Sequence, residues 1–90
     1  MEKNAEKINK LLVVVRDRSA LLFQGQVEAV SSFNDKGPFD VLPRHANFMS
    51  LIKQAVILRF TDKKEKRIEL TSGVIKVKEN NVEVYLGILV

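Results

Sequence analysis

An all-β sandwich or barrel of roughly nine or ten short strands is the fold this chain predicts, and three observations predict it. Short β-branched runs recur from Lys10 onward, apolar and polar residues alternate in the last third, and turn-forming clusters separate the runs at hairpin spacing. No stretch after residue 10 keeps a helical period, which leaves no room for βαβ units.

The elements follow in order. Met1 to Asn9 places Glu2, Lys3, Glu6 and Lys7 without an apolar face and reads as a polar leader, residues 1–9. Strand runs begin with Leu11 to Val15, Ala20 to Phe23, Val27 to Phe33 and Ala55 to Phe60. Ile68 and Leu70 then alternate with Arg67 and Glu69, Ile75 and Val77 with Lys76 and Lys78, and Val82 and Val84 with Glu83 and Tyr85. Each such strand buries one face and wets the other, because successive side chains point to opposite sides. The turns fall at Arg16-Asp17-Arg18-Ser19, Asp62-Lys63-Lys64 and Glu79-Asn80-Asn81, where Asn tolerates the left-handed angles of tight hairpins, and a meander of antiparallel strands follows. Gln24-Gly25-Gln26 and Thr71-Ser72-Gly73 read as bends where a strand changes partner or sheet.

Ninety residues with 46% hydrophobic content support one domain over residues 10–90 with a single core. The absence of cysteine excludes disulfides and thiolate metal sites, so packing must supply the stability. A net charge of +4 is too mild to imply a nucleic-acid partner, and the apolar run Leu11 to Val15 is far too short to span a membrane.

Gly37 to Ala46 holds both prolines, the only histidine and one of the four glycines. Gly and Pro keep such a segment out of a continuous ladder, while Phe39, Val41 and Leu42 pin it to a core, so it reads as a rigid loop built for contact. Catalytic constellations are scarce. His45 has no visible nucleophile or second metal ligand, so the chain predicts neither catalytic nor metal-binding residues. Asp35 and Asp40 flank the loop as backbone-bonding turn residues, and Asp62 to Arg67 interleaves both signs as a solvated hairpin tip does.

Leu22 to Val30 with its Phe23-x-Gly25-x-Val27-Glu28 core, then Gly37 to Ala46 with Leu42-Pro43-x-His45-Ala46, then Ile68 to Val84 with Ser72-Gly73 and Glu79-Asn80-Asn81-Val82, together carry a resemblance. In that order and spacing they resemble the amino-terminal domain of the F-type ATP synthase epsilon subunit, over nearly the whole chain after residue 10. The resemblance implies a flattened antiparallel β-sandwich of about ten short strands, and a rotor part without catalysis or cofactor. It implies docking on the gamma subunit and contact with the polar loops of the membrane c-ring, at the cytoplasmic face of the bacterial inner membrane. The ring-facing loop would be Asn34 to Phe48, with Pro38, Phe39, Asp40, Arg44, His45 and Ala46 at its centre. The apolar ending assigns Tyr85, Leu86, Ile88 and Leu89 to a strand that gamma, a second copy or the chain's own sheet would cover.

The chain departs from the family pattern at Pro38 (commonly acidic), Asp40 (commonly glycine), Asn47 (commonly proline), Gln54-Ala55 (commonly proline-glycine) and Ser72 (commonly glycine). It also reaches Val90 without the family's carboxy-terminal helical hairpin, so the inhibitory function is expected to be missing. The competing reading is a free-standing basic β module for single-stranded nucleic acid. That reading wants aromatic stacking platforms, and the chain offers Tyr85 and five phenylalanines, most at core-facing or loop positions.

Overall fold

The computed structural model describes residues 10–87, so the leader 1–9 and the expected contact residues Ile88 and Leu89 lie outside the described residues. Its strands are β1 (Leu11–Arg16), β2 (Leu21–Val27), β3 (Ala29–Asn34), β4 (Gly37–Val41), β5 (Phe48–Arg59), β6 (Glu65–Lys78) and β7 (Asn81–Leu86). Hydrogen bonding joins them in the order β2-β1-β7-β6-β5-β3-β4. All the pairs are antiparallel except β1 with β7, which run parallel in register from Leu12↔Asn81 to Arg16↔Tyr85.

The all-β expectation holds, with seven strands among the described residues rather than about ten. The difference lies in β5 and β6, which span 12 and 14 residues and each pass through both layers of the sandwich. Residues 48–52 of β5 and 73–78 of β6 join β7, β1 and β2 in a front layer. Residues 54–59 of β5 and 65–70 of β6 join β3 and β4 in a back layer. The crossing point is a bulge between Ile52 and Gln54, where Gln54 takes a φ of 73°. Lys53 and Gln54 are both exposed there, and Ala55 and Val56 are both buried, so the alternation resets as the strand bends.

Gly73 opens the front part of β6, since β7 begins to pair with it there, at Leu86. A Cβ at this position would lie 2.7 Å from the Tyr85 carbonyl oxygen, so the close approach of β6 to β7 requires glycine. The bend expected at Gly73 is thus a change of partner inside one strand. Gly25 is no bend. β2 runs straight through it, with the Phe23 ring lying over the space a side chain would fill, 3.2 Å from an added Cβ.

Inward residues of both layers form one cluster: Leu11, Val13, Val15, Val27, Ile75, Val77, Val82, Val84 and Leu86 meet Val30, Val41, Ile52, Val56 and Leu58. Full burial of each such side chain contributes about 1.5–3 kcal/mol. Ser31 and Ser32 are the buried polar residues among those described, and the Ser32 hydroxyl donates to the Ala55 carbonyl at 2.7 Å.

The hairpins follow the expected turns. Asp17 Oδ1 accepts from the Ser19 and Ala20 amides at 2.9 and 2.8 Å, which holds its carboxyl below the usual range, the Ser19 amide contributing most. Glu79 and Asn80 take φ values of 51° and 67° between Lys78 and Asn81, the geometry of a two-residue hairpin with both central residues left-handed.

Candidate functional site

The segment expected as one rigid loop divides into a strand and a loop. Gly37 to Val41 is β4, an edge strand that pairs with β3 only. Pro38 is tolerated because the edge leaves one side of the ladder without a partner to bond. Phe39 points inward and meets Phe48 edge-on at 5.4 Å, while Asp40 faces out from the back layer, where it accepts from the Ser31 hydroxyl and lies 3.7 Å from Arg59. Arg44, His45 and Ala46 alone of the expected contact residues sit on the true loop, between Val41 and Phe48.

That loop is fixed at both ends. The His45 amide donates to the Leu42 carbonyl at 3.0 Å, and the imidazole meets Phe48 edge-on at 5.6 Å. With its proton on Nδ1, His45 also donates to the Ala46 carbonyl at 2.7 Å. Across from it lies the β6–β7 turn: the Arg44 amide donates to Asn80 Oδ1 at 2.7 Å, and the Glu79 amide to Asn47 Oδ1 at 3.3 Å. Arg44 and Ala46 remain exposed at this end of the sandwich, with His45 half-buried beside them.

The expected carboxy-terminal contact strand is internal. β7 lies between β1 and β6, so its edges are covered by the chain's own sheet. Leu86 is 7% exposed and packs in the core, which withdraws its side chain from any partner. Tyr85 does face outward, half-buried.

Tyr85 belongs to a surface that the sequence reading missed. Register places Leu51, Val74, Tyr85 and Arg16 in one cross-strand row of the front layer's outer face, and Met49, Lys76, Glu83 and Val14 in the next. Leu12 follows on β1 in the row of Asn81 and Gln26. Leu12, Met49 and Leu51 are 50%, 63% and 63% exposed, and Val14 and Val74 half-buried, so an apolar band crosses this face. The signal was in the sequence, since Leu12, Val14, Met49 and Leu51 break the alternation of polar outward residues, but only the pairing brings them together.

Phe23, Phe39, Phe48 and Phe60 pack against the core, which leaves Phe33 and Tyr85 as the other described aromatics. Among the described residues, no group of three or more His, Asp or Glu is placed to hold a metal ion. No helix of these residues is long and apolar enough to cross a membrane.

Comparison with known proteins agrees with this geometry. An ATP synthase epsilon chain of Nitratiruptor is 41% identical over 61 residues, 67% of this chain and 47% of that protein. The epsilon chain of Leptospira borgpetersenii is 30% identical over 76 residues, 84% of this chain and 60% of that protein. The chain therefore spans about half the length of the curated relatives it matches. A chain of the Euglena gracilis mitochondrial ATP synthase, in a structure of its OSCP, F1 and c-ring, superposes with a TM-score of 0.82 at 14% identity, covering 91% of this chain and 53% of that one. A chain of the Tetrahymena thermophila central stalk and c-ring gives 0.71 at 12%, covering 86% and 63%. These two likenesses establish the fold. The family model for the β-sandwich domain of the ATP synthase delta/epsilon chain matches residues 10–87, the full described sandwich, and this chain belongs to that family.

Proposed function

We propose that this chain is a non-catalytic part of the central rotor of an F-type ATP synthase, held to the gamma subunit by the outer front face and touching the polar loops of the c-ring with the β4–β5 loop. It serves ion-driven ATP synthesis by mechanical coupling, with no group transfer and no cofactor of its own. Its place is peripheral to the membrane, on the cytoplasmic face of the bacterial inner membrane. The apolar band of Leu12, Val14, Met49, Leu51, Val74 and Tyr85 carries the reading, because a family member that leaves such a band on one face has an evident use for it against a partner. Arg44, His45 and Ala46 lie at one end of the sandwich rather than on that face, which gives two partners two separate surfaces. A single-stranded nucleic-acid partner is disfavoured because most of the phenylalanines are committed to the core.

Reconstitution with purified gamma and c-ring tests this. Arg44→Ala with His45→Ala should leave gamma binding and folding intact, within about 0.5 kcal/mol, and weaken retention of the ring. Loss of gamma binding with retained ring contact would reverse the assignment of surfaces. A chain that unfolds on these changes would make the loop a core strut.

A further inference from the structure

Asn47 and Asn80 cap one another's segments. Asn80 lends its side-chain oxygen to the amide of Arg44 in the β4–β5 loop, while Asn47 in that loop lends its own to the amide of Glu79 in the β6–β7 turn. The Asn80 carbonyl also accepts from the Leu12 amide at 2.9 Å, so this residue ties the loop, the turn and the start of β1 together. Arg44, Glu79 and Asn80 all hold left-handed φ values, 69°, 51° and 67°. Arg and Glu resist that region more than Asn does, and it persists at such residues where the surroundings over-determine it. The β6–β7 hairpin closes through its own ladder and needs neither side chain for that. What the two caps determine is where the loop lies relative to the sandwich.

We propose that Asn47 and Asn80 are positioning residues, a reciprocal pair of caps that locks the β4–β5 loop onto the β6–β7 turn and presents Arg44 and His45 to the c-ring as one preorganised surface. This rests on the rotor reading for its partner, though not for the lock itself. Asn47 stands where the family pattern commonly has proline. Proline would stiffen the loop through its fixed φ and has no side-chain acceptor; here stiffness runs through hydrogen bonds to a second element. The departure from proline at Asn47 thus contributes to holding the loop in place.

Asn80→Gly removes the acceptor and keeps the left-handed backbone accessible, so it tests the lock with little effect on the turn. In the full chain, amide hydrogen exchange followed by NMR should show Arg44 exchanging about tenfold faster or more in Asn80→Gly, with the Ile75 and Val84 amides unchanged. Asn80→Asp keeps the oxygen and should retain Arg44 protection. Unaltered Arg44 exchange in Asn80→Gly would overturn the lock whatever the protein's partners. In the second arm, immobilised gamma with detergent-purified c-ring should retain the variant on gamma and lose ring attachment about tenfold. Faster exchange with undiminished ring attachment would overturn the positioning role. If the unmodified chain binds neither partner, the rotor reading fails, and the exchange arm still decides whether the lock exists.

Discussion

On the back layer's outer face, Arg59 reaches Glu65 at 3.1 Å and Asp40 at 3.7 Å, and Arg67 reaches Glu69 at 2.6 Å. The corresponding outward positions of the front layer hold Leu12, Val14, Leu51, Met49 and Val74, with Lys76 and Glu83 among them. Both faces are produced by the same alternation and cover the same core, so folding imposes no difference between them. The back face is finished for water by paired charges, whereas the front face is left apolar where a partner can dehydrate it. A sandwich with two such faces is polarised, as the proposed rotor role requires.

The strongest way to break the comparison is to destroy the front layer from within. Gly73→Ala drives a methyl to 2.7 Å from the Tyr85 carbonyl oxygen, which should cost about 1–3 kcal/mol in urea unfolding and reduce gamma binding with it. An unchanged urea midpoint would show that β6 and β7 do not approach as closely as described. Placing a charge in the apolar band comes next: Leu12→Glu or Leu51→Glu should weaken gamma binding by about 1–2 kcal/mol while the isolated chain keeps its stability within about 0.5 kcal/mol. Glu69→Leu on the back face should leave gamma binding alone. Equal losses from both faces would erase the distinction.

Smaller effects sharpen it. Arg59→Ala removes the shared partner of Asp40 and Glu65, and because its side chain is 42% exposed the loss should be below about 1 kcal/mol and shrink further in high salt. A large, salt-insensitive loss would mean that packing of the Arg59 stem, not charge, finishes the back face. The smallest effect lies at Asp17, outside both faces. Its folded-state pKa is lowered by the Ser19 and Ala20 amides, so its contribution is present above the unfolded value of about 4 and is lost as pH falls through the folded one. The gap in urea midpoint between the unmodified chain and Asp17→Asn should therefore narrow below about pH 4. A gap that widens on acidification would reverse the sign assigned to this turn.

Much of the architecture was legible from the sequence, because period-two alternation and turn chemistry are local properties. The runs at Leu11, Ile75 and Val82, and the turns at Asp17, Lys63 and Asn80, fall where those signals put them, whereas the run expected from Val27 to Phe33 is divided at Glu28, with Val27 ending β2 and Ala29 opening β3. What escaped was set by pairing between distant segments. Gly73 looks like a break until the Tyr85 carbonyl fills the space beside it, and Gly25 looks like one until β1 pairs along the whole of β2. Gly37 to Val41 looks like a loop until β3 gives Pro38 an edge to occupy. The placement of Leu86 in the core depends on β1 and β6 flanking β7, and the Asn47 and Asn80 caps join residues 32 and 36 positions apart along the chain. No short window along the sequence contains both partners of these two caps.

The parallel pairing of β1 with β7 sets the order of events during synthesis. Of the strands described, β1 leaves the ribosome first, and the strand that completes its ladder is the last. Until β7 arrives, the β1–β2 hairpin has a free edge and an uncovered valine face, and a two-stranded hairpin is marginally stable alone. The sandwich therefore cannot close progressively from β1 onward, and its acquisition of native structure waits until β7 has been synthesised, a non-local closure of the kind that slows folding.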